Sequence, residues 1–275
     1  MILLNGQWQG GADKITLSGL NEIKSLYLDR VLYEQVPIEK QEKLKFEDEI
    51  IGLSEIKKQT KKAFQILIEK MPKKLFTIGG GCDADVASVA YLNKVYQGDL
   101  CILWFDAHGD INSPNESETH LFYGMPARAL LGCCNKAFDN VIHLPLKMNQ
   151  LIQIGGRAFD DSESAYIKKN KIKYISDTDA DFTQSIQKAI ESTEKHHCYI
   201  HLDLDVLNPT IFPYVPLPES GGISFDRLKE SLELIRNDND VVGFGLYEFA
   251  PQQKRIPEME WLIKYGISIS ESNKI

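Results

Sequence analysis

The sequence predicts an α/β fold in which a mainly parallel sheet is covered by helices on both faces. Five apolar runs have the length of buried parallel strands, and they occupy residues 74–79, 99–105, 150–155, 198–204 and 241–247. Helical patterns occupy residues 56–71, 83–96, 182–195 and 225–235, and another begins at residue 257. Because strands that alternate with helices are joined by right-handed crossovers, we expect these runs to lie in one sheet.

The composition is typical of a globular protein with a substantial core. Of the 275 residues, 43% are hydrophobic and 25% are charged, and no Pro/Gly/Ser-rich linker divides the chain. A single domain over residues 1–275 is therefore expected. The formal charge of -8 argues against nucleic acid or an anionic membrane surface as a partner.

The sequence carries no signal for export or membrane insertion that we recognise. The amino terminus turns polar at Asn5, too early for a signal peptide, and no apolar run approaches the roughly 18 residues needed to span a bilayer. The five cysteines include no CxxC pair, so a disulfide framework is not expected. These features predict a cytoplasmic protein.

Two further segments are expected to lie outside the sheet. Residues 39–49 are highly charged and are interpreted as a solvated loop or helix face without a function. Residues 208–222 are rich in proline and predict a long loop over the strand ends.

Acidic residues stand at the ends of two predicted strands. Asp106, His108 and Asp110 follow the run at 99–105, while Asp203 and Asp205 end the run at 198–204. A spacing of two places side chains on one side of an extended segment, and ligand-binding residues of parallel sheets gather at the carboxyl ends of the strands. If the two strands are neighbours, these side chains converge in a small volume.

Such a cluster is unfavourable without a cation. Buried carboxylates that repel one another each cost several kcal/mol, and a divalent ion removes that cost. Mostly oxygen ligands with one imidazole suit Mn²⁺, with Fe²⁺, Co²⁺, Ni²⁺ or Zn²⁺ as substitutes. The alternative is that each Asp is a helix cap or turn residue.

These motifs resemble the arginase, agmatinase and formiminoglutamase superfamily of ureohydrolases. Residues 106–112 are similar to its first metal motif and residues 203–205 to its second, and further similarity lies at residues 79–81, 123–126, 220–223 and 246–251. The resemblance implies a three-layer α/β/α sandwich with a sheet of about eight strands. It also implies a homo-oligomer, a trimer or hexamer, that acts on a small molecule.

The resemblance implies a centre of two metal ions, most simply Mn²⁺. Asp106 and Asp203 would each bridge both ions, His108 and Asp205 would complete one ion, and Asp110 would bind the other. A water held between two cations loses a proton near neutral pH, and the hydroxide then attacks an amidine-like carbon. The implied function is hydrolysis of a C–N bond in a guanidino, amidino or formimino compound.

Two acidic residues would act on the reactants. Asp110 would orient the hydroxide, and Glu248 matches the family's acid that grips the cationic group of the substrate through charge-assisted hydrogen bonds. Alternatively, Glu248 is a strand-end residue paired with a neighbouring Lys or Arg.

One metal ligand of the family is replaced in this chain. Cys82 stands where the family has the His that completes the ion also held by Asp110. A thiolate is a softer ligand, so Cys82 could bind Zn²⁺, Ni²⁺ or Fe²⁺, leave that ion weakly held, or lie buried beside an empty position.

The substrate end departs from the family as well. Tyr123 replaces a His that shuttles protons, and with an ordinary pKa near 10 it is a poorer shuttle, although it could donate a hydrogen bond. Leu121 replaces a polar residue that holds the amino-acid end, which argues against arginine as substrate. Asn112 keeps one polar contact and His120 offers another, unless His120 is merely an exposed loop residue.

Two other functions remain open. With Cys82 idle, Asp106, His108 and Asp205 could hold a single Zn²⁺ for deacylation, as in the distantly related histone-deacetylase-like proteins, which keep one metal and carry a catalytic Tyr. The losses at Cys82 and Tyr123 also fit an arginase-fold binding protein with impaired catalysis. Two bound ions per chain would favour the two-metal hydrolase, one Zn²⁺ the deacetylase-like enzyme, and no metal the binding protein.

Overall fold

A computed structural model describes residues 1–38 and 43–272, and within them it contains one eight-stranded sheet and one short hairpin. The strands are Ile2–Asn5 (β1), Glu34–Gln35 (β2), Phe46–Glu47 (β3), Ile50–Ile51 (β4), Leu75–Gly79 (β5), Leu100–Phe105 (β6), Leu151–Ile154 (β7), Lys173–Ile175 (β8), His197–Asp203 (β9) and Asp240–Tyr247 (β10). The large sheet has the order β2-β1-β5-β10-β9-β6-β7-β8, and all its neighbours are parallel. Strands β3 and β4 form the separate antiparallel hairpin.

Helices cover both faces of the sheet. They are Ile15–Tyr27 (α1), Leu53–Lys70 (α2), Val86–Val95 (α3), Pro126–Leu130 (α4), Asp161–Asn170 (α5), Phe182–Glu191 (α6), Phe225–Asp238 (α7) and Pro257–Glu271 (α8). One hydrophobic core joins the sheet to α1, α6, α7 and α8, and the other joins it to α2, α3, α4 and α5. Successive strand residues point to opposite faces of the sheet, so Ile200 lies in one core and Tyr199 in the other. Because both faces are buried, the strands are apolar throughout. The predicted three-layer α/β/α sandwich is confirmed.

The predicted elements are all present, with ends shifted by a few residues. Sequence reasoning missed the short elements β1, β2, β4, β8 and α4, as well as α1 and α5, whose apolar faces are narrow. Of the charged segment 39–49, residues 39–42 lie outside the described part, and residues 46 and 47 form strand β3 instead of a loop or helix face. Residues 208–222 contain no helix or strand, as predicted. No helix in the described part of the chain is long and apolar enough to cross a bilayer.

The sheet order brings the acid-bearing strand ends together. β6 pairs with β9, with Phe105 opposite Leu202, and β10 pairs with the other edge of β9, with Tyr247 opposite Asp203. β5 lies beyond β10. Since all four strands are parallel, their carboxyl ends meet at one edge of the sheet. The two acid-bearing strands, β6 and β9, are therefore neighbours, as the predicted cluster requires.

Candidate metal centre and active site

The predicted acidic residues form one buried cluster. Asp106, Asp110, Asp203 and Asp205 are between 1% and 4% exposed. Ligand atoms of Asp106, His108 and Asp205 lie within 4.8 Å of one another, and we name these residues the first ligand set. The second ligand set, within the same limit, comprises Cys82, Asp106, Asp110 and His201, and Cys82 also groups with Asp203 and Glu248.

Backbone amides orient the carboxylates. Asp106 Oδ1 accepts from the His108 amide at 2.6 Å, and Asp203 Oδ1 accepts from the Asp205 amide at 2.8 Å. Asp205 Oδ1 accepts from the Ala107 amide at 2.9 Å, which ties the end of β9 to the end of β6. One oxygen of Asp106 and one of Asp203 are thus held by the turn after their own strands, and one oxygen of Asp205 is held by the turn after β6. The other oxygen of each Asp remains for the cluster.

The protonation of the cluster shows the cost of its crowding. Burial raises the pKa of the Asp110, Asp203 and Asp205 carboxyls, and repulsion from neighbouring carboxylates raises it further. Burial lowers the pKa of His108, but hydrogen bonds with Asp106 and Asp205 outweigh it and the net shift is upward. His108 Nδ1 lies 2.8 Å from Asp205 Oδ2. Protons therefore relieve a repulsion that cations would also relieve.

Two buried polar atoms in the cluster lack a hydrogen-bond partner in the part of the chain that the structure describes. They are Asp110 Oδ2 and His201 Nε2. Buried polar atoms are rarely left without a partner, and both of these atoms can donate a lone pair to a cation. The donor set and its two unpartnered atoms fit divalent metal ions.

Cys82 lies inside this cluster. It begins the 3-10 turn Cys82–Asp85 that follows β5, and its Sγ lies 3.0 Å from Asp203 Oδ2 and 4.0 Å from Asp106 Oδ2. Burial raises the pKa of the thiol well above its usual value, and the surrounding carboxylates raise it further. The protonated thiol therefore donates to Asp203, while the Cys82 amide donates to Glu248 Oε1 at 3.2 Å.

A cavity of about 220 Å³ opens beside Glu248 and Tyr123. Burial raises the pKa of both side chains, and the carboxyl of Asp83 raises that of Glu248 further. The cavity is also lined by Gly81 and Leu121, by Pro216 and Leu217 of the long loop, and by Gly11, Asp13, Ile15 and Thr16. Sequence reasoning missed this amino-terminal wall, for which the only local signal is the Gly10-Gly11 pair.

The structure does not bring Asn112 or His120 to that cavity. The side-chain amide of Asn112 donates through Nδ2 to Asp160 Oδ2 at 2.6 Å and accepts through Oδ1 from the Ser162 hydroxyl at 2.7 Å. It therefore connects the first metal motif to the start of α5. His120 Nδ1 lies 3.1 Å from the Glu49 carbonyl, against the β3–β4 hairpin. Their substrate contacts stay predictions.

The sequence analysis also missed Arg157, which holds the long loop above the site. Its guanidinium donates to the carbonyl of Asp205 at 2.7 Å and to the carbonyl of Ser220 at 2.9 Å. One side chain therefore joins the second metal motif to the loop that covers it. An isolated Arg after a strand gives no sequence signal for this role.

Comparisons with known proteins show that this chain is similar to arginases in sequence and in fold. The arginase of Staphylococcus aureus (strain MRSA252) is 30% identical over 181 residues, which cover 63% of this chain and 59% of that protein. The arginase of Bacillus subtilis (strain 168) is 28% identical over 225 residues, 78% of this chain and 75% of that protein. The Entamoeba histolytica arginase, solved in complex with L-ornithine, superimposes with a TM-score of 0.86 over 98% of this chain and 97% of its own, at 17% identity, which supports the fold.

The match to the Staphylococcus aureus arginase spans 59% of that protein's length, so it does not carry that protein's activity over to this chain. The family itself rests on a broader match. The sequence profile of the Arginase family covers residues 12–260. Because that range is most of the chain, this protein belongs to the arginase family.

Proposed function

We propose that this protein is a hydrolase that uses two divalent ions to cleave a C–N bond of a small guanidino, amidino or formimino compound. One observation carries the proposal: the acids at the ends of β6 and β9 meet in a buried cluster in which Asp110 Oδ2 has no hydrogen-bond partner among the described residues. A cluster of this kind is unfavourable as pure protein, and cations make it favourable.

The two ligand sets would hold the two ions. His108, Asp106 and Asp205 offer one imidazole and two carboxylates, a combination that Mn²⁺ accepts and that Zn²⁺, Fe²⁺, Co²⁺ or Ni²⁺ can also occupy. Asp203, whose Oδ2 lies beside Cys82, would join the two sites. Bound ions of this kind supply a water that is nucleophilic near neutral pH.

The protein's own residues would then position the reactants. Asp110, which has two carboxylate oxygens in the cluster, would accept a hydrogen bond from the attacking water besides helping to hold an ion, and it would so orient that water. Tyr123 lines the cavity, and because its pKa is raised, its hydroxyl stays protonated and can donate a hydrogen bond to the leaving amine.

The cavity favours a cationic group next to the cluster. Its lining includes the carboxyls of Glu248 and Asp13, and we find no Lys or Arg among the described lining residues. Asp83 is fully buried behind Glu248, and burial raises the pKa of its carboxyl to about 7. A guanidinium would offset the repulsion between these acids and would form charge-assisted hydrogen bonds with Glu248.

The direct test is release of urea or formamide. Purified protein loaded with Mn²⁺ is incubated with arginine, other guanidino compounds and formimino amino acids. We expect turnover of a compound without an α-amino acid end, an increase of KM in Glu248→Gln, and no change in the control Glu230→Gln, whose side chain is exposed. Absence of turnover in protein that holds two ions would favour the binding-protein alternative, and one tightly bound Zn²⁺ per chain would favour deacetylase-like chemistry.

A further inference from the structure

His201 lies next to the position where the family's imidazole ligand is missing. It is in β9, two residues before Asp203, so both side chains project from the same face of the sheet. Its side chain is fully buried, and one of its nitrogens lies within 4.8 Å of ligand atoms of Cys82, Asp106 and Asp110. No step of the proposed hydrolysis uses it.

The ring of His201 is held in one orientation. It stacks on Trp104 with a centroid distance of 3.6 Å and an interplanar angle of 7°, and Tyr247 stacks on it at 4.8 Å. These three rings come from the adjacent strands β6, β9 and β10. Rotation of the imidazole would break both stacks, so its nitrogen atoms have fixed positions.

Asp85 sets the tautomer of His201. His201 Nδ1 lies 2.8 Å from Asp85 Oδ2, and the hydroxyls of Tyr199 and Tyr247 both donate to Asp85 Oδ1. A carboxylate already surrounded by hydroxyl donors accepts from Nδ1–H, which leaves the lone pair on Nε2. Histidines that bind metals commonly have this arrangement, with a carboxylate on the nitrogen away from the ion.

The other nitrogen has no hydrogen-bond partner among residues 1–38 and 43–272. His201 Nε2 is buried without one, whereas a histidine that only fills the core would be expected to have both nitrogens satisfied. Ligand atoms about 2.0–2.3 Å from an ion lie at most about 4.6 Å apart, so a set within 4.8 Å contracts only slightly around one ion.

From these contacts we propose that Nε2 of His201 is the imidazole ligand of the second ion, in place of the one that Cys82 cannot supply. This inference rests on the proposed two-ion function. The ligand has moved from the turn after β5 to the strand β9, which is two strands away in the sheet. Asp106 and Asp110 complete the second ligand set, with Cys82 beside them.

The variant His201→Asn tests this directly. The Asn amide nitrogen takes the place of Nδ1 and can keep the bond to Asp85, whereas the position of Nε2 is left empty. The matched control is His197→Asn, since His197 belongs to the same strand and its Nδ1 lies 2.8 Å from Asp240 Oδ2. The measurements are Mn²⁺ per chain by plasma mass spectrometry after equilibrium dialysis, and calorimetric titration with Mn²⁺ alone.

We expect two ions per chain in the unmodified protein and in His197→Asn. In His201→Asn one ion should remain and the second should bind at least tenfold more weakly, as even the loss of a residue that supports a ligand weakens metal binding about 10–100-fold. Two ions bound with unchanged affinity in His201→Asn would overturn the inference and leave the proposed function intact. No Mn²⁺ in the unmodified protein would overturn both.

A measurement on the unmodified protein covers the case in which His201→Asn does not fold. Protein labelled with ¹⁵N-histidine is loaded with Zn²⁺ and its imidazole nitrogens are followed by NMR. Two imidazoles, those of His108 and His201, should acquire the shifts of metal-bound nitrogen. Coordination of one imidazole only would refute the role of His201.

Discussion

Replacement of Asp110 by Asn should have opposite effects on stability with and without metal. The Asp110 carboxyl is 3% exposed, and its Oδ2 has no hydrogen-bond partner within the described ranges of the chain. A buried polar group without a partner costs about 1–3 kcal/mol, and more when it is charged. Asn removes the charge and places a donor among carboxylates, so metal-free Asp110→Asn should be more stable than the unmodified protein by about 1–3 kcal/mol at pH 8.

Bound metal should make the unmodified protein more stable than Asp110→Asn. An ion present at a thousand times its Kd stabilises the folded state by about 4 kcal/mol, which exceeds the gain from removing the charge. The unmodified protein should receive that stabilisation from the ion that Asp110 holds, whereas Asp110→Asn should not. In excess Mn²⁺ the variant is therefore expected to be the less stable protein.

The pH dependence has a definite sign in the metal-free protein. Burial, followed by repulsion from Asp106, raises the pKa of Asp110 well above its ordinary value, so the folded state retains this proton longer than the unfolded state. Stability should then fall as pH rises from about 4, the unfolded pKa of Asp, toward the raised pKa of the folded state. Over the same pH interval, the free energy of unfolding of metal-free Asp110→Asn should increasingly exceed that of the unmodified protein.

Urea unfolding at pH 5 and pH 8, in EDTA and in excess Mn²⁺, measures these differences. The exposed Asp29, paired at 3.8 Å with Arg30, provides the control, and Asp29→Asn should change stability by less than about 0.5 kcal/mol under all conditions. If Asp110→Asn were less stable than the unmodified protein in EDTA as well as in Mn²⁺, Asp110 would be a satisfied structural residue and the reasoning would be wrong.

Three further changes have defined outcomes. Gly19→Ala places a Cβ 1.8 Å from the Phe249 carbonyl oxygen. The cost of this overpacking, about 1–3 kcal/mol or more, should exceed the helix-propensity gain of about 1 kcal/mol and lower the melting temperature. Because Phe249 follows Glu248 in the chain, a shift of its backbone should also raise KM. Asp240→Asn should cost about 0.5–1 kcal/mol in urea unfolding at pH 7. Although burial opposes it, the bond from Lys74 lowers the pKa of Asp240, so this cost should disappear as pH falls below 3.8. Cys82→His should leave the Mn²⁺ stoichiometry at two by plasma mass spectrometry, whereas a gain from one ion to two would show that the site lacked an imidazole.

The sequence was sufficient to predict the sheet and the acids at the ends of two of its strands. Fully buried parallel strands are continuous apolar runs, so β6 and β9 stand out from their surroundings, and the acids that follow them are correspondingly conspicuous. The cluster also required that β6 and β9 be neighbours. No local pattern states which strands pair, and that condition came from the resemblance until the pairing of Phe105 with Leu202 was seen.

The parts that escaped prediction depend on distant contacts. The wall of the cavity at Gly11 and Thr16 belongs to a segment whose strand, β1, has only four residues and is fixed by its pairing with β5. His201 is one residue of an apolar strand, where it is indistinguishable from a core histidine. Its unpartnered nitrogen becomes visible only when Asp85, far away in sequence, occupies the other nitrogen.

Charge balance connects the exchange of ligands with the choice of substrate. Asp106, Asp110, Asp203 and Asp205 carry four negative charges when ionised, and two divalent ions would neutralise them. A neutral imidazole from His201 keeps that balance, whereas a thiolate at Cys82 would add a negative charge in a site where burial and four nearby acids already oppose it. Cys82 can therefore remain a thiol that donates to Asp203. Glu248 is then an acid that the two ions do not neutralise, at the edge of the cluster, and a cationic substrate in the cavity would supply its counter-charge.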